Sequence, residues 1–322
     1  VVLMATIVFR FSDVSVLVRR FAKSSTFLGL LLSAIVFQQY FDWFGLNEVY
    51  VSYVAPTQFH TLVDDYPWPR PVGMVGNPNE LGFLLGILVS ASIFLVLDCE
   101  KRKWMWLLSS LVLIVAMSLT LSRSSVFAIM IALIFFLLIM TAPRLQKPSG
   151  VMMPLNSILF VGLVFALFSL LGGFLILSPS LFEAVSWRFF PENWGSFYQR
   201  VENWSENIHL FFKSPVLGVG PLRHSGMFEH AADSEWILFA RTGGLLLISL
   251  VLVLFMISFF RPLKYVSRAS VFWGRSLVLG VSAYMVVAVA FYSLIIMPIV
   301  LMIWVVTNPQ IASSIKFNGN SC

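Results

Sequence analysis

The side chains able to do chemistry in this chain crowd into a few short polar stretches. One runs from Asp64, Asp65 and Tyr66 through Trp68 and Arg70 to Gly73, Gly76, Asn77, Pro78, Asn79 and Glu80. Within it, Asn77 suits a helix N-cap, Pro78 the first helical position and Glu80 the third. A well-made helix start accounts for the run by itself. With Arg70 nearby, the same helix end also suits an anion. A second stretch, Leu-Ser-Arg-Ser-Ser, sets Arg123 between two apolar runs with almost no loop. An arginine at such a seam either snorkels to the interface or points into a cavity, where its fork of donors suits a phosphate.

The richest stretch begins near Trp187. Arg200, Glu202, Trp204 and Glu206 recur at helical spacing before His209. A turn-forming piece follows, Lys-Ser-Pro-Val-Leu-Gly-Val-Gly-Pro, containing Gly218 and Gly220. Arg223, His224, Glu229, His230, Asp233 and Glu235 come next, and Arg241 lies just inside the following apolar run. Each residue alone fits an aromatic belt or a solvated helix face. Together they bring bases, acids and arginines to one stretch. His230, His224 and Asp233 are candidates for accepting a proton, since histidine titrates nearest neutrality. Arg70, Arg123, Arg200 and Arg223 are candidates for holding a diphosphate.

What positions these stretches is an apolar scaffold. Of the 322 residues 59% are hydrophobic and 11% charged, and the mean hydropathy is +0.89. Soluble domains carry roughly 25% charged residues. A water-soluble fold of this size could not cover that much apolar surface, so lipid is the solvent. The runs do not alternate, which selects helices over a barrel. The expected fold is all-α: a polytopic transmembrane bundle of about nine spans forming one domain. Spans are expected over residues 24–41, 81–97, 104–119, 124–140, 157–177, 236–260, 276–291 and 295–306. The opening stretch, Val1 to Phe9, is too short to span and reads as the tail of a helix that starts earlier.

Charge sets the orientation. Arg19, Arg20 and Lys23, then Lys101, Arg102 and Lys103, then Arg144 and Lys147, then Arg261, Lys264, Arg268 and Arg275 fall in connections on one side. The positive-inside rule makes that side cytoplasmic. Two long connections, 42–80 and 178–235, then lie outside, the second as a large periplasmic loop between late spans. The net charge of +6 reflects those anchors and not a nucleic-acid surface. The two cysteines, Cys99 and Cys322, form neither a disulfide framework nor a metal-ligand pattern.

Taken in order, these pieces resemble the O-antigen ligase and polysaccharide polymerase superfamily of bacterial membrane proteins. The resemblance rests on Arg70 with Gly76 to Asn79, and on Leu121 to Ser125. It rests also on Arg200 and Trp204 with Ser214 to Pro221, and on Asp233 to Trp236 with Arg241 to Gly244. It implies transfer of a glycan from an undecaprenyl-diphosphate carrier to an acceptor hydroxyl, at the periplasmic face of the inner membrane. No metal or other cofactor is implied. The acceptor is another lipid-linked unit in polymerases, and lipid A core sugar or protein in ligases; a chain-length regulator protein is a further expected partner. Ligases carry a His followed by Asn or Ser where this chain has Asp233 and Ser234, with His230 three residues earlier. That departure leans the reading toward repeat-unit polymerase. The rival class is a polysaccharide or lipid transporter, which would more often show broken helices or ionisable groups at the midplane.

Overall fold

The computed structural model of the chain describes residues 14–51, 53, 69–98, 102–141, 195–220, 234–260 and 268–288. Among them all regular structure is helical, with no strand. The main helices are α1 (Val14–Phe41), α2 (Pro78–Asp98), α3 (Lys103–Leu119), α4 (Arg123–Thr141), α5 (Gly195–Lys213), α6 (Glu235–Phe260) and α7 (Arg268–Val287). Stretches of α1, α2 and α6 (Val18–Phe41, Pro78–Asp98 and Glu235–Ile257) are long and apolar enough to cross a membrane. Lys103–Leu119 and Arg123–Phe136 are shorter apolar helices. The spans expected at 157–177 and 295–306 lie outside the described residues.

Helix α2 is the hub. It is apolar on every side, which suits a helix enclosed by others. Residues 81–95 are all buried, against α1, α3, α4 and α7. Small residues let those neighbours approach: a Cβ on Gly82 would sit 2.7 Å from Thr120 Oγ1, and one on Gly86 would collide with Ile129. Hydroxyls add ties between helices, Ser92 to Ser110 at 2.6 Å and the Trp273 indole N–H to Ser90 Oγ at 3.0 Å.

Two helices start earlier than their apolar runs. Helix α1 begins at Val14 and carries Arg19, Arg20 and Lys23, which the sequence reading assigns to a connection. Helix α7 begins at Arg268 and carries Arg275, likewise expected in a loop. Neither stretch contains a proline, the single Gly274 in the second costs only about 1 kcal/mol, and long basic side chains continue a helix while reaching for water. Arg19 Nε pairs with Asp98 Oδ2 at 2.5 Å, tying α1 to the last turn of α2 at this basic end.

Candidate active site at the converging helix ends

At the opposite end of α2 the polar stretches come together. Asn77 Oδ1 accepts the backbone N–H groups of Asn79, at 2.8 Å, and Glu80, at 3.4 Å, and so caps α2. The seam between α3 and α4 is only Thr120, Leu121 and Ser122, so Arg123 opens α4 directly. Ser125 Oγ donates to the Asn79 carbonyl at 2.8 Å and pairs with Ser122 Oγ at 2.6 Å. The N-terminus of α4 is thus fastened to that of α2. Arg70 is buried between them: Nε donates to the Thr120 carbonyl and an Nη to Asn79 Oδ1, each at 3.4 Å. Arg123 is half-buried on the same seam.

Gln39, near the end of α1, holds the strip that carries Arg70. Its Oε1 accepts from Val72 N at 2.9 Å and Gly73 N at 2.8 Å, and its Nε2 donates to the Gly73 carbonyl at 3.2 Å. All of this is buried. Gln39→Leu keeps the volume but strands three backbone groups away from water. A buried unsatisfied group costs about 1–3 kcal/mol, so we expect a loss of roughly 2–5 kcal/mol, read as a lower melting temperature in detergent. An unchanged melting temperature in Gln39→Leu would mean that Gln39 does not hold the strip.

A second group forms where α5 meets α6. Arg241 is buried, and one Nη donates to Asn207 Oδ1 at 2.6 Å; Asn207 Nδ2 donates to the Asn203 carbonyl at 2.7 Å. Helix α6 is broken at Gly244 (φ 62°, ψ −158°). The backbone of 215–220 fills the break. Val219 N donates to the Arg241 carbonyl at 2.8 Å and Gly220 N to that of Thr242 at 3.1 Å. In return Leu245 N donates to the Pro215 carbonyl at 2.8 Å and Leu246 N to that of Val216 at 3.2 Å. The Ser-Pro-Val-Leu-Gly-Val-Gly and Arg-Thr-Gly-Gly motifs are two halves of one backbone seam.

The third group joins the start of α6 to the end of α7. Ser234 Oγ donates to the Met285 carbonyl at 3.1 Å, Trp236 Nε1 to that of Ser282 at 3.1 Å, and Glu235 N to that of Ala288 at 3.3 Å. Glu235 and Tyr284 are both fully buried. The Tyr284 ring stacks on Phe83 of α2, with centroids 3.9 Å apart. Its hydroxyl lies in the fields of Glu80, Arg200 and Glu235, one from each of α2, α5 and α6.

Arg70, Asn77, Asn79 and Arg123 therefore share one cluster at the helix ends. Arg200 acts on the Tyr284 hydroxyl through its charge, and Gly218 and Gly220 belong to the seam. Arg223, His224, His230 and Asp233 lie outside the described residues. Sequence pattern does not single out Gln39, Asn207 or Tyr284. The available signal for Gln39 is a polar side chain within a turn of the end of an apolar run; Tyr284 lies in the middle of the span expected at 276–291. Among the described residues no group of His, Cys, Asp and Glu is arranged to hold a metal.

A chain whose described residues fold into helices, three of them membrane-length and apolar, with polar groups gathered at one end, is a helical membrane protein. Residues 108–239 match the family model described as O-antigen ligase, so this part of the chain is similar to the O-antigen ligase-related proteins. The matched segment contains the Arg123 seam, α5 and the loop up to the first turn of α6, and stops just before Arg241. No curated protein and no solved structure matches the chain. The family points to glycan transfer in O-antigen or polysaccharide biosynthesis.

Proposed function

We propose that this protein joins glycan repeat units at the periplasmic face of the bacterial inner membrane, using a polyprenyl-diphosphate-linked glycan as donor. The observation that carries this reading is the fastening of the α2 and α4 N-termini beside Arg70 and Arg123, with Arg200 on an adjoining helix. Helix N-termini and arginines are what a departing diphosphate requires. The acceptor oxygen attacks the anomeric carbon, and the bond from that carbon to the diphosphate oxygen breaks. The polyprenyl diphosphate leaves as an anion held by arginines, and the acceptor proton passes to a base. His230, with Asp233 three residues on, is the first candidate for that base, and His224 is the reserve. Helix α5 is amphipathic: Tyr198, Val201, Ile208 and Phe212 are exposed, as are Glu202, Glu206, His209 and Lys213. Such a helix suits the bilayer surface, where a lipid-linked donor arrives.

A ligase acting on lipid A core or on protein would use the same machinery with a different acceptor. The break in α6 is a feature of transporters too, but here loop backbone takes up its hydrogen bonds, which leaves less for an ion to bind. Deleting the gene in its host separates the readings. A polymerase leaves single capped units on the surface. A ligase leaves free lipid-linked polymer and no capping. Unchanged surface polysaccharide rejects both.

The base is tested with purified protein and lipid-linked units extracted from the deletion strain. His230→Ala is expected to slow transfer by roughly 100-fold or more with donor binding intact. Near-normal turnover in that variant, with collapse only in Asp233→Asn, would move the role to the carboxylate; collapse only in His224→Ala would move it there.

A further inference from the structure

The Tyr284 hydroxyl is fully buried and has no hydrogen-bond partner among the described residues. A tyrosine in a core ordinarily finds one, because a stranded hydroxyl is costly. Nothing in the local packing requires the oxygen: the Phe83 stack uses only the ring, and a phenylalanine would fill the same space. The position is also held firmly. Ser282, Met285 and Ala288, on either side of Tyr284, accept hydrogen bonds from Trp236, Ser234 and Glu235 in turn. The hydroxyl is thus fixed beside the buried Glu235. Glu80 and Arg200, whose charges also act on it, are both half-buried.

The charges around it decide what it can receive. Among the described residues, the charges acting on the hydroxyl are two carboxylates and one guanidinium, an excess of negative charge. A diphosphate brought among them would meet repulsion that one arginine does not cancel. A sugar carries no charge, and its hydroxyls both donate and accept, so carboxylates and a phenol together can satisfy it. The anion is then left to the arginines, with Arg70 and Arg123 on their own seam.

We propose that Tyr284, Glu235 and Glu80 form the subsite for the acceptor sugar, Tyr284 donating to one of its oxygens and Glu235 accepting from one of its hydroxyls. This rests on the glycan-transfer reading above. It adds named acceptor-binding residues to a site otherwise defined by its arginines.

The test uses full-length protein in detergent, lipid-linked units extracted from the deletion strain as donor, and the same oligosaccharide freed from its lipid by mild acid as acceptor. The freed sugar has no diphosphate, so it probes the acceptor side alone. Tyr284→Phe is expected to raise the acceptor KM about 10-fold while the donor KM stays at the wild-type value. Its melting temperature should not fall, because no hydrogen bond is lost. Glu235→Gln is expected to raise the acceptor KM as well. An acceptor KM within about twofold of wild type in Tyr284→Phe overturns the subsite, as does a donor KM that rises in step with it. Wild-type protein that transfers nothing and binds no lipid-linked unit would instead overturn the reading on which the subsite depends.

Discussion

Arg200→Lys and Arg123→Lys are each expected to reduce glycan transfer by about 100-fold or more at unchanged protein level. Lysine keeps the charge but replaces a planar fork of donors with a single ammonium. The difference is felt where charge builds on a leaving group in a partly dry site, since two parallel bonds to a phosphate are lost together. Arg123 opens α4 on the seam that Ser125 fastens to Asn79, and Arg200 lies on α5, where its charge acts on Tyr284. The same exchange at Arg20, exposed on α1 near the opposite, basic end, should leave transfer unchanged. Rates are measured with purified variants of matched melting temperature, alongside donor binding. Wild-type rates in both lysine variants would remove these arginines from the diphosphate site. Loss of rate with loss of melting temperature would assign them to the fold.

The membrane class and most helix positions were legible because lipid imposes a blunt rule: long charge-free runs must be helices. The interior of the bundle was not. Helices α2 and α6 are equally apolar, yet 83% of one membrane-length window is buried and 11% of the other. In water, hydropathy separates inside from outside; among lipid tails it does not, because lipid is as apolar as leucine. The residues that distinguish α2 are small ones, Gly82, Gly86, Ser90 and Ser92, whose role lies in closeness of approach. The basic ends of α1 and α7 were misread for a related reason. Charge marks where water begins, and a helix continues past that point when nothing stops it.

The polar motifs were visible as separate islands, and their types suggested anion and proton chemistry. Their joining was hidden. Asn77 is readable as a cap from its neighbours in sequence, but Ser125 on the Asn79 carbonyl links positions 46 residues apart. Arg70 is readable as an anion ligand, and the structure also gives it a tie between two helix ends, through Thr120 and Asn79. Gln39 and Tyr284 carry no motif. A lone polar side chain within or near the end of an apolar run has many ordinary explanations, and only the partners it meets, or lacks, separate them.

The backbone seam between residues 215–220 and 241–246 predicts a graded glycine series. Gly244 has φ 62° and ψ −158°, a region that essentially only glycine occupies, and a Cβ there would collide with the Val216 carbonyl. Gly218 has φ 70°, and its Cβ would lie 2.5 Å from the Thr242 carbonyl carbon and 2.6 Å from the Arg241 oxygen. In both cases the obstacle is backbone already held by hydrogen bonds, so it cannot turn aside as a side chain would. Gly220 also has positive φ, 80°, but among the described residues nothing lies within 4 Å of where its Cβ would be. Alanine at 218 or 244 is therefore expected to cost about 3 kcal/mol or more, with collapse of transfer, while alanine at 220 costs about 1–2 kcal/mol of backbone strain alone. Because the first two sites face one another across the same seam, their costs should not add; once the seam opens, the second alanine meets no obstacle, and the double variant should melt close to the worse single. Melting temperatures and transfer rates of the three single variants and the double variant test this. Equal losses at 220 and 244, or full additivity of 218 with 244, would mean that the seam does not close as described.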